Sequence, residues 1–461
     1  MVFLLSGLLL FIYGIFDFKK AFILFLAFKL LLVTNVTIIS EPGIPLLTLE
    51  LGLTIGFTFL FFIKGIKVQN AHMSFPLFIP FTFYILSLTV SSVFSAAGLA
   101  SEFTNLIQCL FENVILVWIC WQVLETKPDF TFFFKVITIL IFISCIYGFL
   151  EFFIKDNPIS DYEATLNHDP SKVIDFSYSM DERGYRINSF FEHSIAAGLT
   201  WSLYSCFVFY LFVKRKICIK KILFPLITAF MCVACLVLTK MRSPIIFFVI
   251  GLLATINFKS KRFYFLAFCF LIGLILILLF FGNDVQNVIF ALFNESSAEE
   301  IGGSSLSMRL DQFNAAFSLM GTSPVFGLGP SFTDVINNDL VKRLLGGESI
   351  WLNVITQQGL VGIFAYLILV FYCVFYIPNK IRNFNLLIFS FSFWLTYTIT
   401  SLPGFDFIFY YILIIYFVKY SRMYSLKVNK GYIYCCCLNN LVFIHGRIKK
   451  VQANRLSHDN L

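Results

Sequence analysis

Three arginines lie in short motifs beside apolar stretches, and their side chains suit one kind of chemistry. Arg186 lies in GYRINSFFEHS, Arg242 in LTKMRSP next to Lys240, and Arg309 in SMRLDQFNAAF. A guanidinium is a planar fork that binds phosphate oxygens two at a time. Three of them converging would hold a diphosphate. Two further groups have the types needed for proton transfer. Glu348, in ESIWLNVITQQGLVG, stands directly before an apolar run, where burial raises a carboxyl pKa. His193, in FFEHS, is a second candidate base, with Glu192 beside it. Each has a plainer reading. An arginine pairs with a loop acid such as Asp181, Glu182, Asp311 or Glu348, or extends its head to an interface. Glu348 would simply complement a helix N-terminus, and a histidine at the start of a span would pack there.

The elements that must position these groups are membrane helices. The 461 residues are 59% hydrophobic and 13% charged, against about 25% charged in a soluble domain. Apolar runs near the ~20 residues that cross a bilayer recur along the chain. They place spans at 2–17, 21–39, 45–63, 76–95, 103–124, 132–153, 191–213, 221–239, 244–257, 262–281, 351–377, 384–400 and 404–418. The expected fold is an all-α polytopic membrane protein of 12–13 transmembrane helices, with a large outer loop containing short helices. Residues 1–17 lack a basic start and a small-residue cleavage site, so they read as a span rather than a signal peptide.

Charge orients this bundle. Lys19 and Lys20, Lys64 and Lys67, Lys127, KRKICIKK (214–221), KSKR (259–262), and Lys380 with Arg382 each follow an odd-numbered span. Those loops are expected in the cytoplasm, together with a basic tail from Lys419. The net charge of +8 therefore follows from topology and implies no nucleic acid. The loops 154–190 and 282–350 then face outward, and so do all six candidate residues. Within the larger loop, Leu306, Leu310, Phe313, Phe317 and Met320 form one apolar stripe, stopped by Gly321 and Pro324. Such a helix would lie on the bundle or in the membrane interface. Lys29 and Glu50, within the second and third spans, would pair.

Twelve cysteines avoid both long outer loops, which argues against a disulfide framework, and Cys232-x-x-Cys235 lies in an apolar helix. No P-loop, GxGxxG, HExxH or DxD pair is present, so cytoplasmic nucleotide chemistry is unsupported. The chain is read as three parts: 1–185, N-terminal helices and the first outer loop; 186–418, the membrane core with outer loop 282–350; and 419–461, the tail.

Taken in order, the segments RINSFFEHSIAAG (186–198), LTKMRSPIIFFVIGLL (238–253), SMRLDQFNAAFSLMGTSPVFGLGPSF (307–332) and ESIWLNVITQQGLVGIFAYL (348–367) resemble the bacterial O-antigen ligase and polymerase family. The shared features are an arginine before an aromatic-rich run and a Thr-x-x-Arg turn. An Arg-led helix ending in Pro-x-x-Gly-x-Gly follows, then a polar pair opening a span with Gly-x-x-Gly downstream. Here those glycines are Gly327, Gly329, Gly359 and Gly362.

The resemblance implies transfer of a glycan from an undecaprenyl diphosphate carrier to lipid A–core, or to another glycan, at the outer face of the bacterial inner membrane. It implies no cofactor and metal-independent catalysis, with the lipid bilayer and polysaccharide-assembly proteins as partners. Arg186, Arg242, Arg309 and Lys240 would bind the diphosphate, and Glu348 and His193 would serve catalysis. Ligases commonly carry His-Asn where this chain has Glu348-Ser349, which leans the reading toward a polymerase. A lipid-linked oligosaccharide flippase would use as many spans, but would keep short loops and mid-membrane charges.

Overall fold

The computed structural model of the protein describes residues 2–31, 37–39, 47–65, 75–159, 185–191, 193–214, 219–273, 275, 306–336, 339–344, 349–399 and 408–420. Helices dominate them, because apolar segments in a medium without water must satisfy every backbone N–H and C=O internally. In chain order, α1 is Val2–Phe16, α2 Phe18–Leu31, α3 Leu49–Ile63 and α4 Phe78–Val93. Helix α5, Leu99–Cys109, continues through a π-helical turn, Leu110–Ile115, into Leu116–Val123. Next come α6 (Lys127–Ile154), α7 (Ser194–Lys214), α8 (Ile219–Leu238) and α9 (Arg242–Leu252). Helix α10, Leu306–Met320, stands in the large loop and is followed by the short helices Phe332–Val335 and Asp339–Leu344. The last three are α11 (Ile350–Phe371), which runs on through a π turn to Lys380, α12 (Phe384–Tyr397) and α13 (Ile408–Tyr420).

Among the described residues, five helices are long and apolar enough to cross a membrane: Glu102–Val123, Lys127–Ile154, Ser194–Lys214, Lys221–Leu238 and Ile350–Lys380. Shorter apolar helices stand beside them. Each of the thirteen expected spans meets a helix, with residues 261–273 supplying the tenth. The protein is thus an all-α polytopic membrane protein. One boundary differs from expectation. The second span does not run helically to 39, because Thr37–Ile39 pairs antiparallel with Leu47–Thr48 in a small two-stranded ribbon. Valine, isoleucine and threonine crowd that stretch, and their stiff side chains favour extended backbone.

The chain divides into two compact units, Met1–Ile412 and Leu413–Leu461, and the candidate residues all fall in the first. Its hub is α7, buried along most of its length and packed between α8 and α9. Small residues permit this. Gly198 of α7 lies against Pro244 of α9, and Gly251 of α9 against Cys206 of α7, so the two helix axes approach closely. Helix α9 also packs on α12, where Phe247 meets Phe393 edge-on at 6.4 Å. Cys145 of α6 and Cys232 of α8 bring their sulfurs to 3.5 Å. Cations hold the end of α7 remote from Arg242. Lys214 donates to the Ile256 carbonyl at 2.7 Å, and Arg262 donates to the Phe212 carbonyl at 3.1 Å while lying over the Phe212 ring.

Lys29 of α2 and Glu50 of α3 form the expected ion pair, their side chains only 7% and 14% exposed. Removing one partner of such a pair strands a charge among apolar helices. Lys29→Met is expected to destabilise the protein by about 3–5 kcal/mol. Thermal unfolding in detergent measures it, and the double variant Lys29→Met with Glu50→Met should recover most of the loss.

Candidate functional site

Helix α11 is broken near its middle. Gly359 has φ 58° and ψ −148°, outside any helix, so the bonds that would join Leu360 N–H to the Thr356 carbonyl and Val361 N–H to the Gln357 carbonyl are lost. All four freed groups find partners on the segment Pro324–Gly329. Leu360 N–H donates to the Pro324 carbonyl at 3.0 Å, and Val361 N–H to the Val325 carbonyl at 3.1 Å. In return, the Thr356 carbonyl accepts from Leu328 N–H and the Gln357 carbonyl from Gly329 N–H, both at 2.9 Å. The approach is so close that a Cβ on Gly327 would overlap the Gln357 carbonyl, and one on Gly359 would lie 2.7 Å from the Pro324 carbonyl oxygen. Gly327 and Gly329 also take positive φ, 73° and 88°. Gly327, Gly329 and Gly359 therefore serve a single joint between the large loop and the broken helix.

A second anchor ties this loop to α5. Glu102 is fully buried, and its Oε1 accepts from Ser95 Oγ at 2.6 Å and from Ser331 N–H at 2.9 Å. Asn105, one turn along α5, donates to Ser331 Oγ at 2.7 Å. From the joint, α10 packs back on α11 through Ala316, Leu352 and Ile355. Its buried face is Gln312, Ala315, Ala316 and Leu319, whereas Leu310 and Phe317 are 57% and 55% exposed. The apolar stripe is thus split, with Leu310 and Phe317 exposed and Phe313 and Met320 packed against α11. Ala316 lies in that contact, where its small side chain lets the helices come close. Arg309 is half-buried in the first turn of this helix.

The segment before α7 is fixed from α6. Glu151, near the end of α6 and 1% exposed, accepts from Tyr185 OH at 3.2 Å and Asn188 N–H at 3.1 Å through Oε1, and from Ser189 N–H at 2.7 Å through Oε2. Burial and the Glu151 carboxylate push the Tyr185 phenol up, so it stays a donor. Ser189, with φ 57°, donates to the Ser144 carbonyl at 2.7 Å, and Asn157 donates to the Ser189 carbonyl at 2.9 Å. Ile187 is fully buried against Gly148. Arg186, half-buried, sits between these fixed neighbours.

His193 stands at the start of α7, where its Nδ1 accepts Ile195 N–H at 3.0 Å. That bond serves one of the helix's unpaired N–H groups, as a capping side chain does. It assigns the remaining proton of a neutral imidazole to Nε2. Burial, and then the nearby Arg186 charge, lower the His193 pKa, which keeps the ring neutral. The Thr239–Arg242 turn lies at the same end of the bundle, since Pro244 of α9 packs on Gly198 of α7. Buried Thr239 pins it, donating to the Leu236 carbonyl at 2.7 Å and accepting Met241 N–H at 3.3 Å. Lys240 takes φ 53°, a conformation that costs a non-glycine residue roughly 1 kcal/mol. Arg242 then opens α9, whose N-cap residue Met241 makes no side-chain cap bond.

Two candidate pairs are therefore at one end of α7–α9: Arg186 with His193, and Lys240 with Arg242. Two helix N-termini share that end and favour an anion. Arg309 belongs to the arm formed by α10 and α11. Glu348 lies outside the described residues. Its neighbour Ser349 caps α11 by accepting Trp351 N–H and donates to the Thr398 carbonyl at 2.6 Å, tying the start of α11 to the end of α12. Since α12 packs on α9, the start of α11 is linked through α12 to the helix that Arg242 opens. Reading the sequence missed Glu151 and Glu102. The available signal was an acid in or beside an apolar run, which membrane helices retain only for a purpose.

Residues 227–367 match the family model described as O-antigen ligase. The match covers Lys240, Arg242, Arg309, the Pro324–Gly329 joint, Glu348 and the helix break, and it supports membership of the O-antigen ligase and polymerase family. The match supports a polysaccharide ligase or polymerase type of function. Arg186, His193 and Glu151 lie before the matched stretch. No curated protein matches the chain.

Two outcomes follow from this geometry. Gly327→Ala is expected to cost about 1–3 kcal/mol from its backbone conformation and more from overlap with Gln357, lowering the amount of folded protein in membranes. Val325→Ala, on a 44% exposed side chain, should be tolerated. His193 has a folded pKa below its ordinary value of 6.5, so the unfolded chain binds the proton more readily. Its contribution to stability is full above that value and is lost as pH falls through the lowered folded pKa. Melting temperatures between pH 7.5 and 5 should fall more steeply for the wild type than for His193→Asn, which can still cap α7.

Proposed function

We propose that the protein transfers an oligo- or polysaccharide from an undecaprenyl diphosphate carrier to an acceptor glycan or lipid A–core at the outer face of the bacterial inner membrane. The reading leans toward polymerisation, because Glu348-Ser349 stands where ligases of the resembling family commonly have His-Asn. The observation that supports the proposal is the contact of Gly198 with Pro244, which brings the starts of α7 and α9 to one end of the bundle. The Arg186 charge acts on His193 at the start of α7, and Lys240 and Arg242 stand at the start of α9 in a stretch that matches O-antigen ligase.

In this reading the acceptor hydroxyl attacks the anomeric carbon of the carrier-bound sugar. The bond from that carbon to the diphosphate oxygen breaks, and the electron pair leaves with the diphosphate, which stays on its lipid. The Arg186, Arg242 and Arg309 guanidinium groups, with Lys240, stabilise the growing negative charge, and the helix N-termini add their partial positive charge. His193, with Nδ1 engaged by Ile195, offers its Nε2–H as a further donor to the leaving oxygen. Glu348 accepts the hydroxyl proton. Helix α10 brings Arg309, and the Pro324–Gly329 joint sets where that helix stands relative to α11.

Removing one such donor typically costs about 10²–10³ in rate. Arg242→Ala is expected to abolish transfer with insertion intact, and Arg242→Lys to keep part of it. The measurement is made in a strain lacking the gene, complemented with wild type or variant, with surface and carrier-linked glycans separated by size. Single repeat units in place of long chains mean a polymerase. Long chains held on the carrier and missing from the final acceptor mean a ligase. Normal glycans with Arg242→Ala, or unextended units accumulating on the cytoplasmic face, would refute the proposal.

A further inference from the structure

We infer that Glu151 is a positioning residue for Arg186. This rests on the reading of Arg186 as part of a diphosphate clamp. The carboxylate is 1% exposed at the end of an apolar helix, a place where an acid is retained only with strong partners. Its partners are the phenol of the residue before Arg186 and the main-chain N–H groups of the second and third residues after it. Three donors and two acceptor oxygens leave no freedom in the segment that carries the arginine. The remaining contacts of that segment repeat the constraint. Ser189 bonds the α6 backbone, Asn157 bonds Asn188 and Ser189, and Tyr147 stacks on Phe190 at 4.7 Å.

The choice of a carboxylate is informative. A glutamine in the same place has one carbonyl oxygen and an amide NH2. With three donors converging, the NH2 would face an N–H and leave it unpaired. An acid is the side chain that accepts all three. The segment also holds Ser189 in a left-handed conformation, which persists only where the surroundings over-determine it. Glu151 therefore fixes the backbone on both sides of Arg186, so the guanidinium meets the diphosphate without first paying the entropy of ordering its loop.

The test uses full-length protein in nanodiscs, with undecaprenyl diphosphate as the binding probe and melting temperature as the control. Glu151→Gln is expected to weaken probe binding about tenfold in the wild-type background. In an Arg186→Ala background the same change should add less than about twofold, because the group it positions is gone. Equal weakening in both backgrounds would make Glu151 a support of the fold and overturn the inference. If Arg186→Ala weakens binding and Glu151→Gln does not, the inference falls and the clamp stands. If Arg186→Ala itself leaves binding unchanged, both fall. Should Glu151→Gln fail to accumulate, Tyr185→Phe removes one donor and leaves the carboxylate. It should then weaken binding by a few-fold with an unchanged melting temperature, and no effect on binding would overturn the inference.

Discussion

A helix broken inside an apolar bundle must find new partners for the backbone groups it frees. Water cannot supply them there, and each unpaired group costs several kcal/mol. In α11 the break at Gly359 frees two N–H groups and two carbonyls, and all four are taken by Pro324–Gly329. This requirement ties a loop to a membrane helix by main-chain bonds. Everything the loop carries, including α10 and Arg309, is thereby referred to the start of α11. Gly327 and Gly359 are needed because two backbones approach within hydrogen-bond distance, and a Cβ at the contact would occupy the space of the facing main chain. Gly329 is needed because a Cβ there would overlap Ser95 and Glu102.

The other half of the site depends on the same economy of buried polar groups, met differently. The turn before α7 has no helix to satisfy it, and Glu151 of α6, with Asn157 just beyond that helix, takes its N–H and carbonyl groups. Glu102 does the corresponding work for the loop after the joint, accepting Ser331 N–H. In each case an acid at the end of an apolar helix holds irregular backbone. Charge-assisted hydrogen bonds of this kind contribute about 1.5–3 kcal/mol each, enough to keep a connecting segment in one conformation. Arg186 is thus carried on ordered backbone, and the tight contact of Gly198 with Pro244 brings the starts of α7 and α9 together.

Composition and periodicity by themselves determined the fold class, the helix at nearly every expected span, the Lys29–Glu50 pair, and the loop helix that stops before Gly321. These are local or one-dimensional properties: apolar length, spacing of charge, a helix breaker. The motifs also marked Arg242 and the glycine pairs. Tertiary structure alone decided the rest. Gly327, Gly329 and Gly359 belong to one joint because two distant segments exchange hydrogen bonds, which no spacing reveals. Ala316, outside the stripe, sits in the α11 contact together with Phe313 and Met320 of the stripe, because close helix approach and not hydrophobicity alone chose that face. Residues 37–39 became a strand because a partner strand was available. Glu151 was one acid in an apolar run until folding brought Tyr185, Asn188 and Ser189 to it. Partners far apart in the chain give a buried charge its purpose, and only the folded chain brings them together.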